Sequence, residues 1–194
     1  EINRKSGGIS STLGIYANDE DDDKNIMTYE LRAKALEDQL PFVFSMIEEI
    51  LTKSKLDDEK RLYEILAQMK SRLQMVLPSH GHSTAVTRAT SYFSETSDFS
   101  DKTGGIAFYR VVEYLESHFE EEKNQIIAKM KEACEYIFCP ENLLVSVTCD
   151  RKVLEHLGES LKVLQSCLKP VKTQEKAKKA ELCKKNEGFL TSSQ

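Results

Sequence analysis

The stretch "GGISSTLGIYAND", residues 7–19, decides the fold class, because its apolar side chains recur at every second position. A period of two is typical of a strand with one covered face. A second alternation occupies "IMTYELRAKAL", residues 26–36, after an acidic turn. Two alternating runs joined by a polar turn predict an antiparallel hairpin with one buried and one solvated face.

The chain beyond the hairpin changes to helical spacing. Apolar side chains recur at intervals of three and four and predict helices around residues 40–51, 62–76, 108–119 and 127–138. We expect Asp57 or Asp58 to cap the second helix, and Pro78 with Gly81 to interrupt it before residues 83–93 resume it. The polar stretch "SETSDFSDKTGG", residues 94–105, is interpreted as a loop.

The third predicted strand is "NLLVSVTCD", residues 142–150, whose β-branched composition favours a buried position. Asp150 then caps a last helix with one apolar stripe, formed by Leu154, Leu157, Leu161 and Leu164. Strands followed by several helices, then a strand and a helix, predict an α+β fold. We expect a single domain in which an antiparallel sheet carries several helices packed on one face.

The boundaries follow from composition. Residues 1–168 are predicted to form this domain, residues 169–187 a Lys-rich linker, and residues 188–194 the start of a further domain. The first residue is Glu1, and "GFLTSSQ" at the end has the character of an opening segment. We therefore expect a fragment of a longer chain.

The composition excludes several classes of protein. Of the 194 residues, 40% are apolar and 30% charged, which is typical of a soluble globular domain. A net charge of −5 argues against nucleic-acid binding, and no apolar run reaches the roughly 20 residues that span a membrane.

The cysteines indicate a reducing compartment, which we predict to be the cytoplasm. Their number is odd and they include no C-x-x-C pair, so neither a disulfide framework nor a zinc knuckle fits. All but the last are expected at core positions. The five are Cys134, Cys139, Cys149, Cys167 and Cys183.

His80 and His82 form an H-x-H pattern that could ligate a metal. Side chains at i and i+2 point apart on a helix, and zinc requires at least one further ligand. The other histidines, His118 and His156, lie in predicted helices without a partner at diagnostic spacing. A structural role is therefore favoured, with His82 packing or hydrogen bonding and His80 incidental.

A second apparent metal motif involves His118, Glu121 and Glu122. These residues approach the inverted zinc motif H-x-x-E-H, but its last position holds glutamate instead of histidine. A charged helix end is the favoured interpretation. Because the chain also lacks a G-x-S-x-G elbow and a phosphate loop, the sequence predicts no catalytic, cofactor-binding or metal-binding residue here.

Two motifs nevertheless resemble a known family. A G-H-x-x-A-x-x-R-A pattern is matched by Gly81, His82, Ala85, Arg88 and Ala89. A G-G-[IL]-x-[YF]-[YF] helix start is matched by Gly104, Gly105, Ile106, Phe108 and Tyr109. In this order they resemble the third, non-catalytic domain of the presequence-protease branch of the insulinase/pitrilysin zinc metallopeptidases.

The resemblance implies a parent chain of four similar α+β domains that enclose a chamber and degrade unfolded peptides as a zinc metalloendopeptidase. Its zinc site would lie in the first domain and a substrate-holding Arg/Tyr pair in the fourth, so neither has a counterpart here. This chain would contribute chamber wall and interdomain packing, with the other domains and unfolded peptides as partners. Two roles are open for Arg88, facing the chamber or pairing with a carboxylate inside the domain, and the second is favoured.

Two alternatives remain open at this point. One is a stand-alone protein or peptide interaction module without enzymatic activity. The other is an inactive core-type subunit, as found among the relatives in respiratory complexes. An H-x-x-E-H motif several hundred residues upstream would separate the peptidase from both.

Overall fold

The computed structural model describes residues 2–18, 21–170, 182 and 184–188. The described chain forms two compact units. Unit 1 takes its described residues from Glu1–Thr12, Tyr29–Leu56 and Gln125–Lys176, and unit 2 from Leu13–Thr28, Asp57–Asn124 and Ala177–Gln194.

Helices predominate among the described residues. The strands are β1 (Ile9–Asn18) and β2 (Asp21–Ala33). The helices are α1 (Ile2–Lys5), α2 (Leu40–Lys53), α3 (Glu59–Ser79), α4 (Gly81–Thr90), α5 (Glu95–Gly104), α6 (Ile106–Ser117), α7 (Phe119–Ile137) and α8 (Arg151–Cys167). Short 3₁₀ turns lie at Glu37–Gln39 and Pro140–Asn142. This combination of a sheet and several helices confirms the predicted α+β class.

The first two predicted strands pair with each other, as expected of a hairpin, and β2 begins at Asp21, earlier than predicted. The predicted buried face is wrong. Leu13 is 51% exposed and Met27 55%, and none of the strand side chains that the structure describes is buried. Alternation predicts which side chains share a face, but two strands alone cannot cover that face.

The third predicted strand is also wrong. Residues 143–150 have no regular structure, and Leu144 is 88% exposed. β-branched composition favours a strand only where side chains pack on a sheet surface, and the described sheet consists of β1 and β2 alone. This segment therefore lies outside the sheet.

The core of unit 1 lies where α2 packs against α8. The predicted leucine stripe of α8 is confirmed at Leu157 and Leu164, which are buried, as is Val43 of α2. Leu154, assigned to the same stripe, is 56% exposed instead. Asp150 occupies the N-cap position as predicted, but its side chain makes no capping hydrogen bond.

The thiols are only partly in the core. Cys139 is buried, Cys134 and Cys167 are half-buried, and all three are free. The core position expected for Cys149 is wrong, because that thiol is exposed on the irregular segment. Burial raises the pKa of the Cys134 thiol. Cys183 lies outside the described residues.

Unit 2 contains α3 to α6, with α6 packed against both α3 and α5. Asp58 caps α3 by accepting a hydrogen bond from the backbone nitrogen of Arg61, at 3.0 Å. The core of unit 2 includes Leu66 of α3 and Val112 of α6, both buried. The helix ends at Ser79, one residue beyond Pro78, so the predicted interruption of the helical run is confirmed.

Residues 95–104 form α5, so the loop predicted over residues 94–105 is wrong. Ser94 caps this helix through the backbone nitrogen of Ser97, and Glu95 and Asp98 in the first turn complement the helix dipole. No apolar stripe marks this helix in the sequence, because its buried side chain is the carboxylate of Asp101.

Candidate functional site

The most buried charges described in unit 2 belong to a salt bridge between α4 and α5. The Arg88 side chain is 10% exposed and that of Asp101 1%, and their Nη1 and Oδ2 atoms lie 2.5 Å apart. Arg88 is the only buried residue among the five that match the motif, since Gly81, His82, Ala85 and Ala89 are all exposed. The predicted pairing of Arg88 with a carboxylate inside the domain is confirmed.

Asp101 also caps the start of α6. Its Oδ1 atom accepts a hydrogen bond from the backbone nitrogen of Ile106 at 2.9 Å, with Ala107 nitrogen at 3.4 Å. A Cβ atom at Gly105 would lie 2.4 Å from the same oxygen, so only glycine leaves room for this cap. The Arg motif and the Gly-Gly motif therefore meet at one buried carboxylate.

A second carboxylate reaches Arg88 from far along the chain. Glu187 Oε1 accepts hydrogen bonds from Arg88 Nε at 2.7 Å and from the Tyr92 hydroxyl at 2.6 Å. Glu187 Oε2 lies 3.4 Å from Nη1 of Arg110 on α6. Together these side chains form the Arg88 cluster, which consists of Arg88, Tyr92, Asp101, Arg110 and Glu187.

The electrostatics of the Arg88 cluster favour its charged state. Burial alone would lower the pKa of the Arg88 guanidinium, but hydrogen bonds to Asp101 and Glu187 raise it above its ordinary value. The Tyr92 hydroxyl, followed by the charge and hydrogen bonds of Arg88, lowers the pKa of Glu187 in spite of its desolvation. The pKa of Tyr92 is raised, chiefly because its hydroxyl donates to Glu187.

His80 and His82 have roles opposite to those predicted. His80, expected to be incidental, is the residue between α3 and α4, and its Nδ1 lies 3.2 Å from the carbonyl oxygen of Val76. It therefore helps to satisfy the C-terminal end of α3. His82, expected to pack or hydrogen bond, is exposed in the first turn of α4.

His118 repeats this arrangement at the end of α6. Its Nδ1 lies 3.0 Å from the carbonyl oxygen of Tyr114, and its ring stacks on the Tyr114 ring with centroids 4.5 Å apart. Glu121 and Glu122 belong to the first turn of α7, where carboxylates complement the helix dipole. The charged helix end predicted for these residues is confirmed. Nothing is described for the His156 side chain.

The described residues do not fit a zinc ion. Among them, no group of three or more His, Cys, Asp or Glu side chains is placed to hold a metal. In the same part of the chain, no helix is long and apolar enough to cross a membrane. The donors of the Arg88 cluster, guanidinium and phenol groups, are suited to binding carboxylates.

Sequence reasoning found Arg88 and Gly105 but missed their partners. Asp101 was not identified, because it lies in the stretch interpreted as a loop. A signal was available, since a buried arginine requires a carboxylate and residues 94–105 contain Asp98 and Asp101. Glu187 lies 99 residues from Arg88, and no local pattern could connect the two.

The comparison with known families decides the classification. Residues 1–115, which include α4, α5 and most of α6, match the family model for the region associated with peptidases of family M16, subfamily C. The chain belongs to this family. Since the match covers both motifs quoted above, the predicted resemblance to the presequence-protease branch is confirmed.

Individual proteins match this chain beyond residue 115, where the family model ends. Protein HypA of Clostridium perfringens is 28% identical over 190 residues, 98% of this chain and 19% of that protein. Presequence protease 1, chloroplastic/mitochondrial, of Arabidopsis thaliana is 24% identical over 163 residues, 82% of this chain and 15% of that protein. The mitochondrial presequence protease of Danio rerio is 25% identical over 142 residues, 73% of this chain and 14% of that protein. The chain thus spans less than a fifth of the length of these relatives.

Proposed function

We propose that this chain is a non-catalytic domain of a longer zinc metalloendopeptidase. It packs against the other domains of its own chain and forms part of the wall of a chamber in which unfolded peptides are degraded. The observation that carries the proposal is the family match over residues 1–115, together with likeness to proteins named presequence proteases. Zinc, in this proposal, is held elsewhere in the parent chain.

Exposed apolar side chains support the packing role. In unit 2, Met75 is 73% exposed and Phe93 67%, and in unit 1 Leu144 is 88% exposed. Large apolar side chains exposed in this way often mark surfaces that another protein element covers. In the proposed parent, neighbouring domains cover them.

The decisive experiment compares the isolated chain with its parent on quenched fluorescent peptides. We expect the parent to cleave unfolded peptides, to lose activity with a chelator and to regain it with added zinc. The isolated chain, at equal concentration, should cleave nothing. Folded proteins should resist the parent, because a closed chamber admits only extended peptides.

Two results would contradict the proposal. Metal-dependent cleavage by the rigorously purified isolated chain would place a catalytic site within it. A parent that lacks an H-x-x-E-H motif and cleaves no peptide would exclude the peptidase and favour an interaction module.

A matched pair of variants tests the packing role separately. Phe93→Asp should leave unfolding of the isolated chain unchanged, since the ring is 67% exposed, but should lower activity or stability of the parent. Ser100→Asp places the same carboxylate at another exposed position of unit 2 and serves as the control. Equal behaviour of both variants in the parent would argue against a covered surface at Phe93.

The compartment is part of the proposal. The free thiols of Cys134, Cys139, Cys149 and Cys167 support a reducing compartment such as the cytoplasm. The names of the plant and fish relatives place those proteins in organelles. Localisation of the tagged parent by microscopy distinguishes the two.

A further inference from the structure

We propose that Arg88, Tyr92 and Arg110 form a carboxylate-binding site for the chain's own segment 184–188, with Glu187 as the latch residue. The site holds this segment against α4 and α6 of unit 2. The proposal does not depend on the activity of the parent.

Several hydrogen-bond donors converge on the Glu187 carboxylate. Glu187 Oε1 accepts from Arg88 Nε at 2.7 Å, lies 2.5 Å from Arg88 Nη2, and accepts from the Tyr92 hydroxyl at 2.6 Å. The Glu187 side chain is only 17% exposed, whereas the preceding Lys185 and Asn186 are exposed. Glu187 therefore attaches this segment to the Arg88 cluster.

The donors of the site are held in place by contacts that do not involve Glu187. Arg88 Nη1 is held by Asp101 at 2.5 Å, so the opposite Nε edge of the guanidinium faces the position of Glu187. A planar guanidinium fixed at one end binds a second carboxylate with little further loss of side-chain entropy. The Tyr92 ring lies 5.5 Å from the same guanidinium, which fixes the phenol beside it.

The fold of unit 2 does not depend on the contact between Glu187 and Arg88. Arg88 keeps a buried carboxylate partner in Asp101 when Glu187 is removed, so its charge is not left uncompensated. Loss of Glu187 should therefore release the segment without unfolding α4 to α6. Loss of Asp101 should instead destabilise the helices themselves.

The test measures backbone order by ¹⁵N relaxation on the full 194-residue chain. In the unmodified chain, we expect order parameters of about 0.85 for residues 184–188, typical of a rigid backbone. Glu187→Gln should lower them below about 0.6, as for flexible chain, and Tyr92→Phe should lower them less. Glu155→Gln, which neutralises an exposed carboxylate on α8, is the matched control and should change nothing in this segment.

Hydrogen exchange of the α4 and α6 amides completes the test. We expect exchange in these helices to be the same in Glu187→Gln and the unmodified chain. Unchanged order in residues 184–188 of Glu187→Gln would overturn the proposal. So would faster exchange throughout α4 and α6, because Glu187 would then be part of the fold of unit 2.

Discussion

Asp101 accepts a hydrogen bond from the Arg88 guanidinium through one oxygen and from the backbone nitrogen of Ile106 through the other. One carboxylate thus joins α4 to the start of α6, and α5 carries it into the interior. This relationship joins the two sequence motifs within this chain. Each supplies one of the groups that Asp101 binds.

Asp101→Asn should destabilise the chain strongly. Asparagine can still accept from Ile106, but it removes the more deeply buried of the two negative charges opposite Arg88. Because Glu187 remains as a partner, the cost should be at most the ~3–5 kcal/mol of a fully broken buried ion pair. Asp98→Asn on the same helix is the control, since its partner Lys102 is 58% exposed and such pairs contribute about 0.3–0.5 kcal/mol. Urea unfolding measures both, and equal small losses would show that the Arg88 pair does not stabilise the fold.

Alanine substitution should have different effects on the stability of the chain at the adjacent residues Gly104 and Gly105. At Gly105 the new Cβ would meet Asp101 at 2.4 Å, and overpacking of this kind costs about 1–3 kcal/mol. At Gly104 nothing lies within 4 Å, so Gly104→Ala should be neutral or stabilise by up to about 1 kcal/mol. Thermal unfolding checks the pair. A Gly105→Ala variant as stable as the unmodified chain would contradict the crowding around Asp101.

The fold could be predicted from sequence wherever one local pattern determined the structure. The hairpin strands, α2, α3, α6 and the Asp58 cap all follow from periodicity or from capping chemistry within a few residues. Prediction failed at α5, whose buried side chain is Asp101, because a polar run gives no apolar stripe to detect. It also failed at residues 143–150, where β propensity is present but the described sheet offers no neighbouring strand.

In the candidate site too, local sequence patterns did not predict contacts between residues that lie far apart in the chain. Arg88 and the Gly-Gly pair were visible as motifs, and a buried arginine implies a carboxylate partner. Nothing in the sequence near Arg88 indicates that Glu187 contacts it, because that contact depends on tertiary structure alone. His80 shows the opposite case, in which a local pattern is present without the site. The H-x-H pattern is typical of a metal site, but His80 lies at the end of a helix.

The histidine assignments predict that the chain does not bind zinc through residues 80–82. Dialysis against zinc followed by metal analysis should give much less than one equivalent, and His80→Ala and His82→Ala should not change it. His80→Ala should cost up to about 1 kcal/mol, since it loses an exposed hydrogen bond at the end of α3. His82→Ala should be neutral. Stoichiometric zinc that either substitution abolishes would establish a metal site that the structure does not predict.

The Glu187 latch should release at acid pH. Its pKa is lowered from the ordinary value of 4.5, first by the Tyr92 hydroxyl and then by Arg88 and Arg110. For a carboxylate whose folded pKa is depressed, the stabilisation is fully present above the ordinary pKa and is lost as the pH falls through the folded pKa. Order in residues 184–188 should therefore be constant from about pH 7 to about 5 and decline only below the ordinary carboxylate range.

The pH dependence must be assigned to Glu187, because Asp101 of α5 places a second carboxylate against the same Arg88 guanidinium. Glu187→Gln cannot ionise, so its segment should be disordered at every pH and show no transition. Backbone relaxation at several pH values follows the segment, and hydrogen exchange in α4 and α6 follows the fold. If the segment loses order at a higher pH than the one at which α4 and α6 lose their protection from exchange, the transition belongs to Glu187. Simultaneous loss of both would instead attribute the transition to acid unfolding of unit 2.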